Sequence, residues 1–583
     1  MEKISEGYLD NLKKEISDLK IDLSKVEIVS SDVVGVGKST QIKLEIEKNN
    51  KNYIYFPIGG ELSKLDIIER LKNLNLKNDS VIHVDLYDTE ETKLMEEFLH
   101  FILIKKSYGE NENIINISKD IEIKIEIPNG YKDYFIVYPI LTFFPTKKLS
   151  IKNLSPLIVT NEINSNIQIV ANYLKALKND EIDKIDLYFE KISDLYFLNL
   201  KTTKSVKSLP QNECEELIFN EIQEYIFEPN YYEIESFINY LANQFKKLCS
   251  NYYLCSYDLM HLMDKSSKIK TFIVKTIIKE AIFIIEGSHS KFLKNQIMIN
   301  EMNNNINDIN LGIENLIQNK EKGISFNKLN YPLFFFNQGS DNQTYSIISN
   351  LKESDKEYQY FLKLKNIHAI SKRDQIKLSN YLYYDQIDFL KELKDILNLR
   401  NPVRKDERRD DLLSLEEIAG NFILTADNYI KLIYLFLRIY ANIPIVIFGE
   451  KWCGKFSLVK KLAEFINNGE HNTLTLEIHS DTSEKNIIEF IEKEVIEESV
   501  FLNNKENEEK KKKMYEEKGL FYDNKKLFVI LRGINTCKSM GIISEIICKH
   551  SYQGKPLPSN IVFIGICESY IQEEDRFIDR KSV

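Results

Sequence analysis

Cysteine is thin for the length of this chain: seven in 583 residues, none spaced as CxxC and none set beside a matching pair of histidines. That scarcity excludes a dense disulfide framework. It also excludes a RING-type zinc module, which needs a run of closely spaced Cys and His ligands. Six of the seven lie in or beside apolar text, where a buried inert thiol is expected, and Cys453 lies in a turn. No apolar run approaches the roughly 20 residues of a membrane-spanning helix. The N-terminus, MEKISEGYLDNLKKEISDLK, is charged and amphipathic and lacks the apolar stretch of a secretory signal. The expectation is a cytoplasmic protein with reduced thiols and no membrane span. Positive charge is not in excess either: 78 Lys and Arg stand against 88 Asp and Glu, a net charge of -10. This argues against nucleic acid or anionic lipid as a chain-wide partner. Arginine is scarce and absent between Arg70 and Arg373.

What is present suffices for several cores: 43% of residues are apolar and 28% charged, which predicts more than one globular domain. Helical spacing over Met1 to Leu23 leads into a short strand at Val26, Ile28 and Val29. The turn DVVGVGKST follows, then the helical QIKLEIEKNN and the strand-like YIYFPI, Tyr53 to Ile58. Strand, glycine turn, helix, strand opens a parallel α/β sheet. A buried strand is read at Val81 to Asp88, a helix at Met95 to Lys106 and a further strand at Phe135 to Phe144. From about Asn161 to Lys320 the pattern is mostly helical. YPLFFFNQGSDNQT reads as a loop, and helical text then runs to Asn398. The charged stretch Arg400 to Asp411 marks a boundary. A second α/β start follows: a helix at Asn428 to Tyr440, the strand IPIVIF (Ile443 to Phe448), the turn GEKWCGK and the helix SLVKKLAEFINN. Strands are expected at Thr473 to His479, Lys526 to Arg532 and Asn560 to Cys567. Asn303 to Asn307 and Lys505 to Lys513 read as solvated surface.

A phosphate cradle needs inward backbone N–H groups at a helix N-terminus, glycines where the chain bends close, a Lys for the phosphates and a hydroxyl for magnesium. Gly35, Gly37, Lys38 and Ser39 supply the second half of GxxxxGK[ST], with Asp32 in place of its first glycine. Asp85 ends an apolar strand where a magnesium carboxylate belongs. Leu86 follows it, so a second acid to align water is missing. These residues predict a site for ATP and Mg2+ with poor hydrolysis. In the second turn Gly449, Gly454 and Lys455 keep register, but Phe456 takes the hydroxyl position and Ser457 comes one residue late. The strand expected to end in paired acids ends in Arg532 and Gly533, which would repel magnesium. Lys455 could touch a phosphate; metal-assisted hydrolysis is not expected there. Trp452 in that turn could stack on a base or plug an empty phosphate site. His83 and His479 read as packed core residues.

The order of these fragments resembles the mysterin family, giant AAA+ proteins that also carry a RING and act as E3 ubiquitin ligases. The matching stretches include GVGKS, VIHVDLYDTEETKLMEEFLHFIL, IQIVANYLKAL, LTADNYIKLIYLFLRIYANIPIVIFGE and GINTCKSMGIISEIICKHSYQGKPLPSNIVFIGICESY. The resemblance implies an α/β fold of tandem AAA+ P-loop modules with parallel sheets and an extensive helical lid and linker. Its expected limits are a first core at 1–160, a lid at 161–320, a linker at 321–411 and a second core at 412–583. The second module departs from the family at Phe456, at Arg532-Gly533 and at Glu568-Ser569-Tyr570, and with the chain ending at Val583 it is expected to be incomplete and degenerate. The reading favoured is a nucleotide-binding, pseudo-ATPase element, regulatory or scaffolding, with ATP in the first module and other AAA+ modules or ubiquitin-system proteins as partners. The alternatives are an active ATPase module of a larger ubiquitin-ligase assembly and a nonfunctional gene fragment.

Overall fold

In the computed structural model the described residues are 6–19, 22–31, 35–74, 76–77, 79–109, 114–118, 120–128, 131–150, 157, 159–182, 207–226, 229–250, 269–286, 332–336, 345–355, 357–369, 380–397, 416–467, 469, 471–502 and 526–568. Asp32, the segments Asn303 to Asn307, Arg400 to Asp411 and Lys505 to Lys513, Cys255, Ser569 and Tyr570 lie outside them.

The first half is a five-stranded parallel sheet. Its strands are β1 (Val26–Ser31), β2 (Asn52–Gly60), β3 (Ser80–Thr89), β6 (Glu122–Glu126) and β7 (Thr146–Leu149), in the order β2-β3-β6-β1-β7. A small antiparallel pair, β4 (Ser107–Tyr108) and β5 (Ile115–Asn116), lies between β3 and β6 in the chain. The sheet is covered on both faces, as parallel sheets are. Val26, Ile28, Ile82, Val84, Ile123 and Ile125 pack into one core with the helix Thr92–His100, while Val29 and Val81 face Ile42 and Ile46 of the helix Lys38–Lys48 on the other side.

Two expectations fail here. Phe135 to Phe144 is not a strand: it falls in the helix Tyr131–Val137 and the 3-10 turn Pro139–Phe143. Pro139 within the run has no N–H to give a ladder, and it sits at the start of the turn instead. The strand in question is β6, with the alternating text IEIKIE. Alternation ordinarily marks a half-exposed strand, yet β6 lies between β3 and β1. Its polar positions are occupied by ion pairs: Glu122 with Lys51, and Lys124 with Glu27 and Glu45 at 2.8 Å for the last. The second failure is YPLFFFNQGSDNQT, whose residues Leu333–Phe336 form β8 and pair antiparallel with β9 (Tyr345–Ile348). Leu333, Phe334, Phe335 and Phe336 are all buried, so the run is core rather than loop.

The helices Asn166–Lys178, Gln211–Gln223, Tyr231–Ser250 and Ile269–Glu286 supply the helical region. Local capping sets where they begin. The Ser165 side chain accepts from the Gln168 N–H, and Asn230 and Glu233 cap each other reciprocally, at 2.8 and 2.9 Å.

The second half is a four-stranded parallel sheet of β10 (Ile445–Gly449), β11 (Thr473–Glu477), β12 (Leu527–Arg532) and β15 (Ile561–Glu568), in the order β10-β15-β12-β11. Between β12 and β15 lies the antiparallel pair β13 (Ser551–Tyr552) and β14 (Lys555–Pro556). Period-two alternation divides its apolar residues cleanly. Leu527, Val529 and Leu531 pack on one side, while Phe528 and Ile530 join a continuous core that reaches the helices at 166–285.

Candidate functional site

Both glycine turns have the same geometry. Gly37 (φ +82°) and Gly454 (φ +83°) are left-handed residues that cap the helices Lys38–Lys48 and Lys455–Ile466. Only glycine adopts that backbone without strain, and in each case it places a Lys at the first helical position with backbone N–H groups facing outward from the strand end.

In the first turn the sequence-derived residues converge. Asp85 does not end its strand, since β3 runs on to Thr89, but it is the last β3 residue paired with β6 and stands in register with Glu126 at the end of β6. The carboxyl edge of an open parallel sheet is where ligands bind. Ser39 Oγ donates to Glu126 Oε2 at 2.6 Å, and Lys38 Nζ lies 3.6 Å from Glu126 Oε1 while donating to the Ile127 carbonyl. Gly35 packs against Asn230, and its carbonyl accepts from the Tyr232 N–H at 3.3 Å, so the helix Tyr231–Ser250 closes on the turn.

A second carboxylate does stand beside Asp85, contributed by another strand. Leu86 is buried and points into the core, whereas Glu126, 8% exposed, stands beside Asp85, 4% exposed. Burial alone would raise the Glu126 carboxyl. The His83 hydrogen bond and the nearby His83, Lys38 and Lys549 charges outweigh it and hold Glu126 below the usual carboxylate range. His83 is buried, as expected, but serves a polar role: its Nε2 lies 3.2 Å from Glu126 Oε2 and its Nδ1 2.9 Å from the Tyr53 hydroxyl. His479, expected in a core, is exposed.

One residue of the site was not expected at all. Lys549 belongs to the second half, at the end of the helical segment Met540–Lys549, and its Nζ donates to Asp85 Oδ2 at 2.5 Å, to the Tyr55 hydroxyl at 2.7 Å and to Ser39 Oγ at 3.4 Å. Tyr55 and Tyr87 also donate to Asp85 Oδ2, at 2.7 and 3.1 Å. Burial, then the facing Asp85, drives both phenols well above their ordinary value, so they remain donors. Desolvation would lower the Lys549 ammonium, but the Asp85 and Glu126 charges prevail and raise it.

The same helical segment docks on the first sheet. A Cβ on Gly541 would lie 2.6 to 2.8 Å from Tyr87 side-chain atoms, and Gly60 faces Glu484 and Ser539. Arg70 stacks over Phe56 at 4.7 Å and is desolvated beside Glu484 and Glu545. Burial raises the Glu484 carboxyl to about 7, against the opposing pull of Arg70.

The second turn is differently furnished. Lys455 Nζ donates to the carbonyls of Gly449 and Glu450, at 2.7 and 2.5 Å. Arg532 lies over the Phe456 ring at 4.7 Å and pairs with Glu477. Trp452 is fully exposed and plugs nothing. Of the described cysteines Cys214 and Cys537 are buried, Cys567 is half-buried, and Cys453 and Cys548 are exposed, so Cys548 departs from the expected burial, although desolvation still pushes its thiol up.

For magnesium, Ser39 and Asp85 are oxygen donors of the kind the ion takes together with phosphate oxygens and water, and the cation already resting on both of them is an ammonium. These residues fit the ion. Among the described residues no group of three or more His, Cys, Asp or Glu is arranged to hold a metal without phosphate, and no helix is long and apolar enough to cross a membrane.

The family model described as the RNF213 AAA domain matches residues 422–571. The chain is similar to the zebrafish (Danio rerio) E3 ubiquitin-protein ligase rnf213-beta, 22% identical over 607 aligned positions that cover 95% of this chain and 11% of that protein. It is also similar to the human E3 ubiquitin-protein ligase RNF213, 28% identical over 161 residues, 27% of this chain and 3% of the human one. The chain thus spans about a tenth or less of the length of these relatives. A closed-state structure of Hsp104 overlays at 12% identity, covering 96% of this chain and 70% of the other, with a TM-score of 0.19, too low to bear on the argument.

Proposed function

This chain carries an AAA+ region of the RNF213, or mysterin, family, and from that premise we propose that its first half binds one Mg-ATP, turns it over slowly, and acts as a regulatory or scaffolding element. The observation that carries the reading is the meeting of Lys38, Ser39, Asp85 and Glu126 at the carboxyl edge of one parallel sheet, beside a left-handed glycine at a helix start. Lys38 would bridge phosphates, Gly35 and Gly37 would let the backbone approach them, and Ser39 and Asp85 would hold the ion. When bound, magnesium supplies charge neutralisation of the phosphates. Slow turnover is supported by Glu126 itself: its Oε2 already accepts from Ser39 and lies against His83, so it is poorly disposed to receive a proton from water. Gly449, Gly454 and Lys455 retain at most a phosphate contact without metal, because Phe456 and Arg532 occupy the ion's surroundings. Residues 1–160, 161–320, 321–411 and 412–583 serve in this reading as first core, lid, linker and second core.

Releasing nucleotide by denaturation and counting it tests the proposal. One equivalent per chain is expected, lost in Lys38→Ala and kept in Lys455→Ala; two equivalents, or one that persists in Lys38→Ala, would overturn it.

A second reading, an active ATPase module of a larger ubiquitin-ligase assembly, is favoured by the presence of Glu126 beside Asp85. Steady turnover by the wild type, abolished in Glu126→Gln, would select it. The relatives are named E3 ubiquitin-protein ligases; this chain alone, without clustered zinc ligands in its sequence, is proposed to form no ubiquitin chains with E1 and E2.

A further inference from the structure

We propose that Lys549 is a built-in counter-ion of the first site which shares its ligands with the metal, so that loading magnesium displaces the Lys549 ammonium and loosens the helical segment it terminates. The inference rests on the nucleotide-binding reading above and adds to it a regulation of that site by the second half of the chain.

Asp85 and Glu126 are two nearly buried carboxylates in register on adjacent strands, and buried carboxylates need paired cations or donors. Lys38 lies near Glu126, 3.6 Å away, and Lys549 sits on Asp85. Lys549 Nζ contacts Asp85 Oδ2 and Ser39 Oγ together, the two protein groups a nucleotide-bound magnesium would use. Magnesium demands oxygen ligands at about 2.0 to 2.1 Å in near-octahedral array. An ammonium cannot keep both contacts while the ion takes them, since two cations on one carboxylate oxygen repel and compete for the same lone pairs.

The ammonium is held by an element that can report its departure. The segment is pinned at its start, where Gly541 lies against Tyr87 and Lys538 is 3.8 Å from Glu90. It ends at His550, a left-handed residue (φ +52°) that turns the chain into β13. Between these, Glu545 accepts from Ser551 Oγ and from the Gln553 and Gly554 N–H groups, tying the segment to the β13–β14 turn. Release at Lys549 therefore acts on the end of the segment and on its following turn, whose Gly554 packs against the Tyr55 carbonyl of β2.

The test uses the full chain stripped of metal and nucleotide, as wild type, Lys549→Met and Lys549→Arg. Affinity for a non-hydrolysable ATP analogue is measured in EDTA and in magnesium, and Mn2+ alone is titrated by electron paramagnetic resonance. In Lys549→Met the gain in nucleotide affinity from metal should grow about tenfold over wild type, an ordinary coupling between two ligands, and Mn2+ alone should bind more tightly. Lys549→Arg should behave as wild type. Weaker Mg-nucleotide binding in Lys549→Met would make Lys549 a phosphate ligand and overturn the proposal, as would an unchanged metal dependence. Should the wild type bind no nucleotide, the reading above fails, and the Mn2+ titration still decides: equal Mn2+ affinity in wild type and Lys549→Met overturns the displacement. Hydrogen exchange of residues 545–552 in the wild type gives a readout that needs no variant. It should rise on adding magnesium with the analogue, and no change would refute the coupling.

Discussion

The Arg532 guanidinium lies over the Phe456 ring, 4.7 Å from its centroid, with Glu477 as its ion-pair partner. The two residues that depart from a phosphate-site pattern are thus in contact, and each fills the other's surroundings. Phe456→Thr alone should leave one nucleotide per chain, because Arg532 still repels the ion. Phe456→Thr with Arg532→Asp should raise the stoichiometry above one in equilibrium dialysis with labelled ATP. A second equivalent appearing in the single variant would show that Arg532 is not an obstacle.

Glu126 accepts hydrogen bonds that tie Ser39, and by way of His83 also Tyr53, to one carboxylate. Glu126→Gln should lower the stability of the nucleotide-free chain by about 1.5 to 3 kcal/mol, the usual worth of hydrogen bonds to a charged group. It should at the same time tighten ATP binding several-fold, since a negative charge beside the phosphates is gone. Thermal unfolding with and without ATP measures both, and a variant that is stable yet binds more weakly would contradict the placement of Glu126 at the phosphates.

Gly541 is required by Tyr87, whose Cβ and ring atoms lie 2.6 to 2.8 Å from where a methyl would be. Gly541→Ala should destabilise the chain by about 1 to 3 kcal/mol through overpacking, and Tyr87→Ala in the same chain should recover part of it. Additive losses in the double variant, followed by denaturant unfolding, would mean that the two do not touch in solution.

Glu484 carries a pH dependence whose sign is fixed by its surroundings. Burial against Gly60 raises its carboxyl to about 7 from 4.5, so the folded chain prefers it protonated. Its contribution to stability is fully present below about pH 4.5 and is lost as pH rises through 7. Arg70 offsets the penalty of ionisation, while Glu61 and Glu545 add to it. The difference in unfolding midpoint between wild type and Glu484→Gln should therefore shift in favour of the variant between pH 5 and 8. A constant difference across that range would place Glu484 in water.

Much of the architecture was legible in the sequence because it is written in local terms. The glycine turns at Gly35–Gly37 and Gly449–Gly454, the apolar runs of β3, β12 and β15, and the helices Lys38–Lys48 and Lys455–Ile466 follow from backbone preference and periodicity within a dozen residues. Phe456 and Arg532 could be read as departures for the same reason: each stands at a fixed offset from a recognisable turn or strand end. The aromatic run at 135–144 misled because a short apolar stretch has no period of its own, and its proline was the better guide. The alternating IEIKIE was a usable strand signal. Its interior position was not legible, because the partners of its charges, Lys51, Glu27 and Glu45, lie far off in the chain.

The sequence by itself determined that two glycine turns of related pattern precede helices, that the first is followed by Lys38 and Ser39 with Asp85 on a later strand, and that the second has Phe456 and Arg532 at the corresponding positions. The tertiary structure alone decided what completes the first site. Glu126 reaches Ser39 across 87 residues because β6, far off in sequence, pairs with β1, whose following turn carries Ser39, and Lys549 reaches Asp85 across 464 because the second half docks its helix on the first sheet. Parallel strands bring together the ends of segments that the chain separates by whole crossovers. A carboxylate and an ammonium contributed in that way leave no spacing in the sequence to be found.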